Sequence, residues 1–470
     1  MAHLFISAAH KSSGKTTVSI GLTAALSQTG LQVQTFKKGP DYIDPMWLGK
    51  ASHRPCFNLD FYTMSQAEIL HKFNHYMSTA DIGLIEGNKG LYDGLDLDGS
   101  NSNAALATLL DAPVVLVLDS RGMTRGIAPL VLGYQQFDRN IAIRGVILNQ
   151  VGGSRHESKL RSILEHYTDV KVIGAVHKDP QLNIDERHLG LIPSNEEQLA
   201  QRQITRLANC IKSQVDLDKI ISMANTTSAK SLNNPPSTKF STREITPLKV
   251  GIFQDHAFGF YYPDDLLAMT EAGAELVSIN SLSDKKLPEI DGLFIGGGFP
   301  ETQMQKLAAN ESLLQNVKEA IESGLPTYAE CGGLMYLSRS ISWKHEKYSM
   351  ANVIQGDIVM HSTPKGRGYI ILEETDNHPW TTCNKQKTIK AHEFHYSELS
   401  DLENNYQFAY RVLRGTGVDG QHDGIIYKNL LANYGHLRNS HSNPWVERFL
   451  HFINRHKQLA NDSAQSMQAP

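Results

Sequence analysis

The sequence predicts an α/β protein of two domains, and three observations carry that prediction. Short apolar strands alternate with helix-period segments in both halves of the 470-residue chain, the pattern of doubly wound parallel sheets. A phosphate-loop stretch, Ala9-His-Lys-Ser-Ser-Gly-Lys-Thr-Thr17, sits between the first strand and the first helix. A cysteine stands at a second strand-to-helix turn, Pro326-Thr-Tyr-Ala-Glu-Cys-Gly-Gly-Leu-Met-Tyr-Leu337. A chain of this length has room for two or three hydrophobic cores.

Composition narrows the class. The hydrophobic fraction of 40% and charged fraction of 20% are those of a soluble globular protein. A net charge of −4 gives no reason to expect non-specific nucleic-acid binding. Cys56, Cys210, Cys331 and Cys383 are too irregularly spaced for a disulfide framework, and Met1-Ala-His-Leu-Phe does not open a signal peptide. A reducing cytoplasm is therefore the expected compartment. Apolar runs such as 112–118 suit buried parallel strands and are too short to cross a bilayer. No HExxH or CxxC spacing occurs, so a dedicated zinc site is not expected.

Taken in order, a strand over 3–8 runs into the phosphate loop, and a helix follows with apolar spacing through Val18, Leu22 and Leu26. Backbone N–H groups of Ser12, Ser13, Gly14 and Lys15 would cradle phosphates, with Thr17 just inside the helix. Lys15 would neutralise the β- and γ-phosphates and Thr16 would place its hydroxyl on Mg²⁺. The first glycine of the usual pattern is Ala9 here.

A second strand ends at Lys37, and a Gly-Pro turn then sets Asp41, Tyr42 and Asp44 beyond its C-terminal end, where open α/β sheets put their chemistry. Two carboxylates beside Lys37-Lys38 can hold Mg²⁺ or orient a substrate, although a single Asp there also serves as a turn former. The third strand, 81–86, ends at Glu86, placed to face the phosphate loop and bind the cation directly or through water. Asp93 can contact substrate or metal, or simply close a turn before Gly94. Strands over 112–118 and 143–149 end at Asp119 and Asn149; the Asn suits hydrogen bonding to an adenine edge. A strand at 170–175 and a compact element at 187–193 complete the half, the latter with no assigned role.

Residues 224–247 are poor in core formers and rich in turn formers, which predicts a linker. The second domain opens at Lys249-Val-Gly-Ile-Phe253, and its strand at 291–295 leads into Gly296-Gly-Gly-Phe-Pro-Glu301. The N–H groups of Gly297 and Gly298 suit an oxyanion hole beside Cys331, against the alternative of a plain tight turn. At the elbow, the helix N-terminus and nearby N–H groups are expected to favour the Cys331 thiolate. The alternative is a buried structural cysteine. Gly332 and Gly333 leave room for a substrate. A base must come from elsewhere in the sequence, and His392, His395 and His436 are the candidates, with His436 slightly ahead because it follows a strand-like segment. The last twenty residues are expected to be a flexible tail. The expected boundaries are thus 1–223, 224–247, 248–450 and 451–470.

Several motifs in this order (AAHKSSGKTT, FKKGPDYIDP, EGNKGLYDG, GVILNQVG, ERHLGLIP, GGGFPE, YAECGGLMYL, HEFHYSE and YGHL) resemble the cobyrinic acid a,c-diamide synthase family, glutamine-dependent amidotransferases of the cobyric acid synthase group. The resemblance spans roughly residues 3–443. It implies an N-terminal P-loop synthetase domain similar to dethiobiotin synthetase and a C-terminal class I glutamine amidotransferase-like α/β domain. It also implies Cys331 as nucleophile, His436 as its base, Lys15 and Thr16 on ATP and Mg²⁺, Asn149 near the adenine, and Asp41, Asp44 and Glu86 at an acyl-activating site.

Two departures stand out. The loop carries His10-Lys11-Ser12-Ser13 where relatives are glycine-rich, and His436 is followed by Leu437-Arg438 with no acid at the usual triad position.

The resemblance implies ATP- and glutamine-dependent amidation of peripheral acetates of a tetrapyrrole through an acyl phosphate, with the cobyrinate a- and c-carboxylates as the default acceptor. A sirohaem or nickel-sirohydrochlorin acceptor is the alternative substrate. A regulatory protein with a degenerate glutaminase fold, and a MinD-like partitioning ATPase, are alternatives of other classes. The expected partners are glutamine and the tetrapyrrole, without nucleic acid or membrane; a homodimer is left open.

Overall fold

The structure, a computed structural model, describes residues 1–184, 186–187, 190–195, 200–226, 247–380, 388–403 and 406–468. The chain divides into two compact units, Met1–Ser237 and Thr238–Pro470. Most of the expected linker, 227–246, lies outside the described residues.

The first unit is built on a seven-stranded sheet with the order Phe57–Leu59, Val33–Lys38, Ile82–Glu86, Ala2–Ala8, Val114–Asp119, Ile143–Val151 and Lys171–His177. Every pairing in it is parallel. Its central strands are buried almost throughout, because helices cover both faces of an all-parallel sheet and leave no polar side for alternation. The helix after the phosphate loop, Lys15–Ser27, packs against Ala200–Gln214. Gly21 permits that approach: a Cβ there would lie 2.6 Å from Ile211 Cγ1 and 3.0 Å from the Leu207 carbonyl oxygen. The element at 187–193 belongs to a short hairpin, Glu186–Arg187 with Gly190–Leu191. The chain just beyond it docks on helix Ile43–Ser52, with Trp47 Nε1 donating to the Ile192 carbonyl at 2.9 Å and Lys50 Nζ to that of Ser194.

The second unit holds a nine-stranded mixed sheet. Ala274–Ile279, Leu248–Phe253, Gly292–Ile295, Thr327–Glu330 and Leu430–Asn433 run parallel. From there the sheet continues antiparallel through His422–Tyr427, Gln407–Arg414, Gly366–Glu374 and Thr388–His395.

The flexible tail expected over 451–470 is corrected by the structure: helix Trp445–Gln468 runs through it, and only residues 469–470 lie outside the described chain. Trp445, Val446, Phe449, Leu450, Phe452 and Ile453 form one apolar stripe packed with Leu248, Val250, Phe294 and Tyr328. Each large side chain so buried contributes about 1.5–3 kcal/mol. Lys457 Nζ adds a 2.9 Å contact to Asp291 Oδ2. The polar composition of the last turns concealed a helix nucleated upstream. Among the described residues, no helix is long and apolar enough to cross a membrane.

Candidate active sites

In the first unit the candidate residues converge at the C-terminal ends of three neighbouring strands. The phosphate loop turns through left-handed residues, Ser12 at φ 64° and Gly14 at φ 81°. Only glycine fits at 14, since a Cβ would lie 2.0 Å from Asn149 Nδ2. Asn149 was expected to face an adenine edge; the partner the structure gives it is the loop, with Nδ2 donating to the Ser13 carbonyl at 2.9 Å. Ser13 Oγ donates to the His10 carbonyl at 2.8 Å. Ala9 substitutes for glycine without conflict: it is buried, and its carbonyl accepts from Tyr134 Oη.

Lys15 Nζ donates to Glu86 Oε1 at 2.7 Å. Thr16 Oγ1 reaches the same oxygen at 2.8 Å and Asp44 Oδ2 at 3.2 Å. Lys37, buried, completes the knot: it donates to Asp44 and, at 3.0 Å, to Glu86, and stands 3.6 Å from Asp41. Burial works against ionised Glu86, yet Lys15 and Lys37 overcome it and hold its carboxyl at about 2. Asp44 goes the other way: burial first, then the neighbouring Asp41 carboxylate, pushes it up to about 6. Burial also opposes the Lys37 ammonium, but Asp44, Glu86 and Asp41 outweigh it and raise its pKa well above the ordinary value.

The other candidates sit at the margin of this cluster. Asp41 Oδ1 accepts from the Ile43 and Asp44 N–H groups at 3.0 and 3.1 Å, opening the helix Ile43–Ser52. Tyr42 is buried at the start of the same helix. Thr17 lies in the first turn after the loop. Asp93 is exposed and closes its own turn, Oδ2 accepting from Gly90 N–H at 2.8 Å.

Oxygens of Thr16, Asp44 and Glu86 suit a hard cation such as Mg²⁺. Glu86 Oε2 supports the fit, being buried with no hydrogen-bond partner among the described residues. Those residues form no cage of three or more His, Cys, Asp or Glu side chains, so a cation here would complete its shell with nucleotide oxygens and water.

In the second unit, strands Thr327–Glu330 and Leu430–Asn433 lie side by side and in parallel, with Glu330 opposite Asn433. Beyond them the chain makes the elbow. Cys331 takes φ 47° and ψ −98°, a strained conformation for a residue with a Cβ, and its N–H donates to the Asn433 carbonyl at 2.7 Å. Strain at this point turns the thiol out of the strand and into the first turn of helix Gly332–Leu337.

Residues Gly297–Gly298 pair with Phe258–Phe260 and come close to both Gly332 of the elbow helix and His436. The Gly298 nitrogen is 3.0 Å from where a Cβ on Gly332 would sit, and a Cβ on Gly297 would lie 2.7 Å from His436 Cε1. Side chains at these positions would collide with the Gly298 backbone or with the His436 ring.

The thiolate expectation is corrected. Burial chiefly, then the carboxylates of Glu301 and Glu330, push the Cys331 thiol well up, while the Gly332 N–H offsets them only in part. With its pKa so raised, the cysteine favours the neutral thiol, and the charged groups that chiefly act on it are carboxylates.

The three histidines separate by their surroundings. His395 is taken up structurally, Nδ1 bonding to the Ser397 carbonyl at 2.8 Å and the ring stacking on Tyr434 at 4.0 Å. His392 meets Tyr262 Oη at 3.2 Å and stacks on His436 with ring centres 4.9 Å apart. Burial, His436 and Arg438 hold its pKa well below the ordinary value, so it is neutral. His436 has Glu330 Oε2 at 3.3 Å from Nδ1.

Sequence reasoning passed over Glu330, although an acid ending the otherwise uncharged, fully buried strand Thr327–Glu330 was a visible signal. It also treated Lys37 only as half of a basic pair, where the structure makes it the hub of the carboxylates.

Residues 5–192 match the model of the CobQ/CobB/MinD/ParA nucleotide binding domain, and residues 249–444 that of the CobB/CobQ-like glutamine amidotransferase domain. A cobyrinate a,c-diamide synthase from Magnetococcus marinus is 45% identical over 446 residues, covering 94% of this chain and 95% of the relative. The protein of that name from Methanosarcina acetivorans is 40% identical, covering 92% of each chain. That from Caldanaerobacter subterraneus subsp. tengcongensis is 37% identical, covering 95% of this chain and 97% of its own.

Proposed function

This chain belongs to the cobyrinate a,c-diamide synthase family, and we propose that it amidates the a- and c-acetate carboxylates of cobyrinate, drawing ammonia from glutamine and activating each carboxylate with ATP. The observation that carries the proposal is the presence in one chain of two complementary constellations. One is a thiol elbow flanked by a base and a glycine strand; the other is a phosphate loop whose Lys15 and Thr16 meet Asp44 and Glu86.

At the elbow, His436 Nε2 takes the Cys331 proton as sulfur attacks the side-chain amide carbon of glutamine. The oxyanion so formed is held by backbone N–H groups of the Gly297–Gly298 pair, whose Gly298 nitrogen lies against Gly332. His436 returns the proton to the departing ammonia, and water hydrolyses the thioester to glutamate and free thiol. A neutral resting thiol fits this sequence, because the proton leaves only when the amide is in place.

At the phosphate loop an acceptor carboxylate oxygen attacks the γ-phosphorus of ATP, releasing ADP and leaving an acyl phosphate. Lys15 exchanges Glu86 for phosphate oxygens, and the loop N–H groups from Ser12 to Lys15 hold the chain of phosphates in line. Mg²⁺, held by Thr16, Asp44 and Glu86, would supply charge neutralisation on the phosphates. Lys37 keeps Asp44 and Glu86 ionised side by side. Ammonia then attacks the acyl carbon, phosphate leaves, and the nitrogen gives up one proton, which the departing phosphate or water takes, to leave the amide.

The test is to incubate the protein with ATP, Mg²⁺ and glutamine, offering cobyrinic acid, sirohaem or nickel-sirohydrochlorin in separate reactions, and to weigh the products. Two acid-to-amide conversions on cobyrinic acid are expected. Conversion of another acceptor alone would reassign the substrate, and conversion of none would overturn the synthetase role.

A further inference from the structure

We propose that Glu330, the residue immediately before the elbow cysteine, is the carboxylate that positions His436 for glutamine hydrolysis, in place of the acid missing after it in the sequence. The proposal rests on the glutaminase role given above to Cys331 and His436.

The geometry begins with strand alternation. Tyr328 and Glu330 share one face of the strand Thr327–Glu330, and both are buried. The parallel neighbour places Asn433 opposite Glu330, and three residues later the chain returns His436 over the carboxylate. Glu330 Oε2 then lies 3.3 Å from His436 Nδ1. Its other oxygen accepts from the Leu437 N–H at 2.9 Å and from Tyr328 Oη at 2.5 Å. Asn433 Nδ2 in turn donates to Tyr328 Oη at 3.1 Å.

One carboxylate thus holds both the imidazole and the backbone that follows it. The sequence position where a triad acid would follow the histidine is Arg438, and it is committed elsewhere: its Nη2 meets Asp264 at 2.7 Å and its guanidinium covers the Tyr262 ring at 4.0 Å. An acid could not take that position without disturbing this buried pair.

The chemical consequence concerns the tautomer. A carboxylate beside Nδ1 keeps the proton there, so that the Nε2 lone pair is the one that takes the thiol proton. When it does, the imidazolium forms next to a negative charge. Nδ1–H stays on the ring throughout, and only the Nε2 proton travels between sulfur and ammonia. The titratable groups around this centre are Glu330 and Cys331 on the elbow, Tyr328 through Glu330, and His392 stacked on the ring, with Glu301, Asp423 and Arg438 beyond them.

Glu330→Gln tests the assignment. Glutamine can still accept from Leu437 and Tyr328, but it offers Nδ1 a donor and so drives the proton to Nε2, the wrong nitrogen. Glutamine hydrolysis is expected to fall in kcat by about 10²–10⁴-fold with little change in KM, the loss seen when a triad carboxylate becomes an amide. Glu330→Asp should recover part of it. Amidation of cobyrinic acid supplied with ATP and ammonium chloride should persist, which shows that the variant is folded. Nitrogen-15 NMR of labelled histidine should move His436 from the Nδ1–H to the Nε2–H form.

Glu330→Gln with kcat within about threefold of wild type and an unchanged tautomer would overturn the proposal. If the variant does not fold, the wild-type spectrum decides alone: an Nε2–H tautomer at His436 is fatal to the assignment. Undiminished hydrolysis in Cys331→Ala or His436→Ala would instead remove the glutaminase role itself.

Discussion

The two units place their chemistry at the same point of the sheet, beyond the C-terminal ends of parallel strands, yet they manage charge in opposite ways. The phosphate-loop cluster holds both signs of charge in contact before any ligand arrives, although burial lowers the Lys15 pKa and raises that of Asp44 to about 6. Lys15 and Lys37, 9% and 1% exposed, are tied to Glu86, Asp44 and Asp41. The elbow keeps its nucleophile neutral, 7% exposed, with carboxylates rather than cations as its charged surroundings. A site that must receive a polyanion and a cation needs both signs of charge already held in place, since a single buried charge would cost several kcal/mol. A nucleophile that must meet only a neutral amide can stay uncharged until the base removes its proton.

Separating the two halves gives the largest effect. Cys331→Ser should lower glutamine-dependent amidation by about 10³-fold or more, while ammonium chloride still supports product formation. Parallel assays of glutamate release and amide product check it. Loss of the ammonia-driven reaction as well would mean that the elbow serves the synthetase chemistry directly.

Next in size is the removal of Lys37, which probes whether the charge knot stands by mutual pairing. Lys37→Met leaves Asp44 and Glu86 short of a cation and should destabilise the first unit by about 3–5 kcal/mol. Adding Asp44→Asn in the same chain should return much of that loss. Thermal unfolding of the single and double variants measures it, and a cost below about 1 kcal/mol for Lys37→Met would show that the cluster is solvated enough to do without pairing.

Much of this organisation was legible in the sequence because motif and strand end coincide. The phosphate loop, Asp44, Glu86 and Cys331 all stand at or just past the C-terminal ends of short strands, and the sheet alone then brings them to one edge of each unit. What the sequence hid depends on register. Glu330 became a partner of His436 only through the parallel pairing of Thr327–Glu330 with Leu430–Asn433, a relation across about a hundred residues that no local pattern encodes. Resting protonation was hidden for a related reason: a helix N-terminus after Cys331 suggests a thiolate, but the burial and the carboxylate of Glu301 that reverse it are tertiary facts. Polar composition likewise concealed the last turns of helix Trp445–Gln468, whose stability comes from the stripe that starts at Trp445.

The neutral-thiol side of the contrast can be broken by a pH series. Alkylation of Cys331 by iodoacetamide without glutamine, followed by peptide mass spectrometry, should quicken about tenfold per pH unit from pH 7 to 9, because a raised pKa keeps the thiolate a growing minority throughout. A rate already level across that range would mean a resting thiolate, and the two units would then handle charge alike.

The smallest effect tests whether the second unit extends the same habit to its buried bases. His378 bonds to Tyr410 Oη at 2.9 Å and accepts from the Trp380 N–H at 3.1 Å. Burial first, then Arg448, lowers its pKa to about 3. The sign follows from linkage. Below about 6.5 the unfolded chain binds a proton at this histidine and the folded chain does not, so stability falls as pH drops, until the folded form also protonates near 3. Between pH 7 and pH 5 this one group should cost about 2 kcal/mol. Calorimetry at both values should show the difference shrinking by about that amount in His378→Gln, whatever the variant's stability at pH 7. An unchanged pH dependence would place a charge on His378 beside Arg448, and the neutrality favoured at Cys331 would not extend to this histidine.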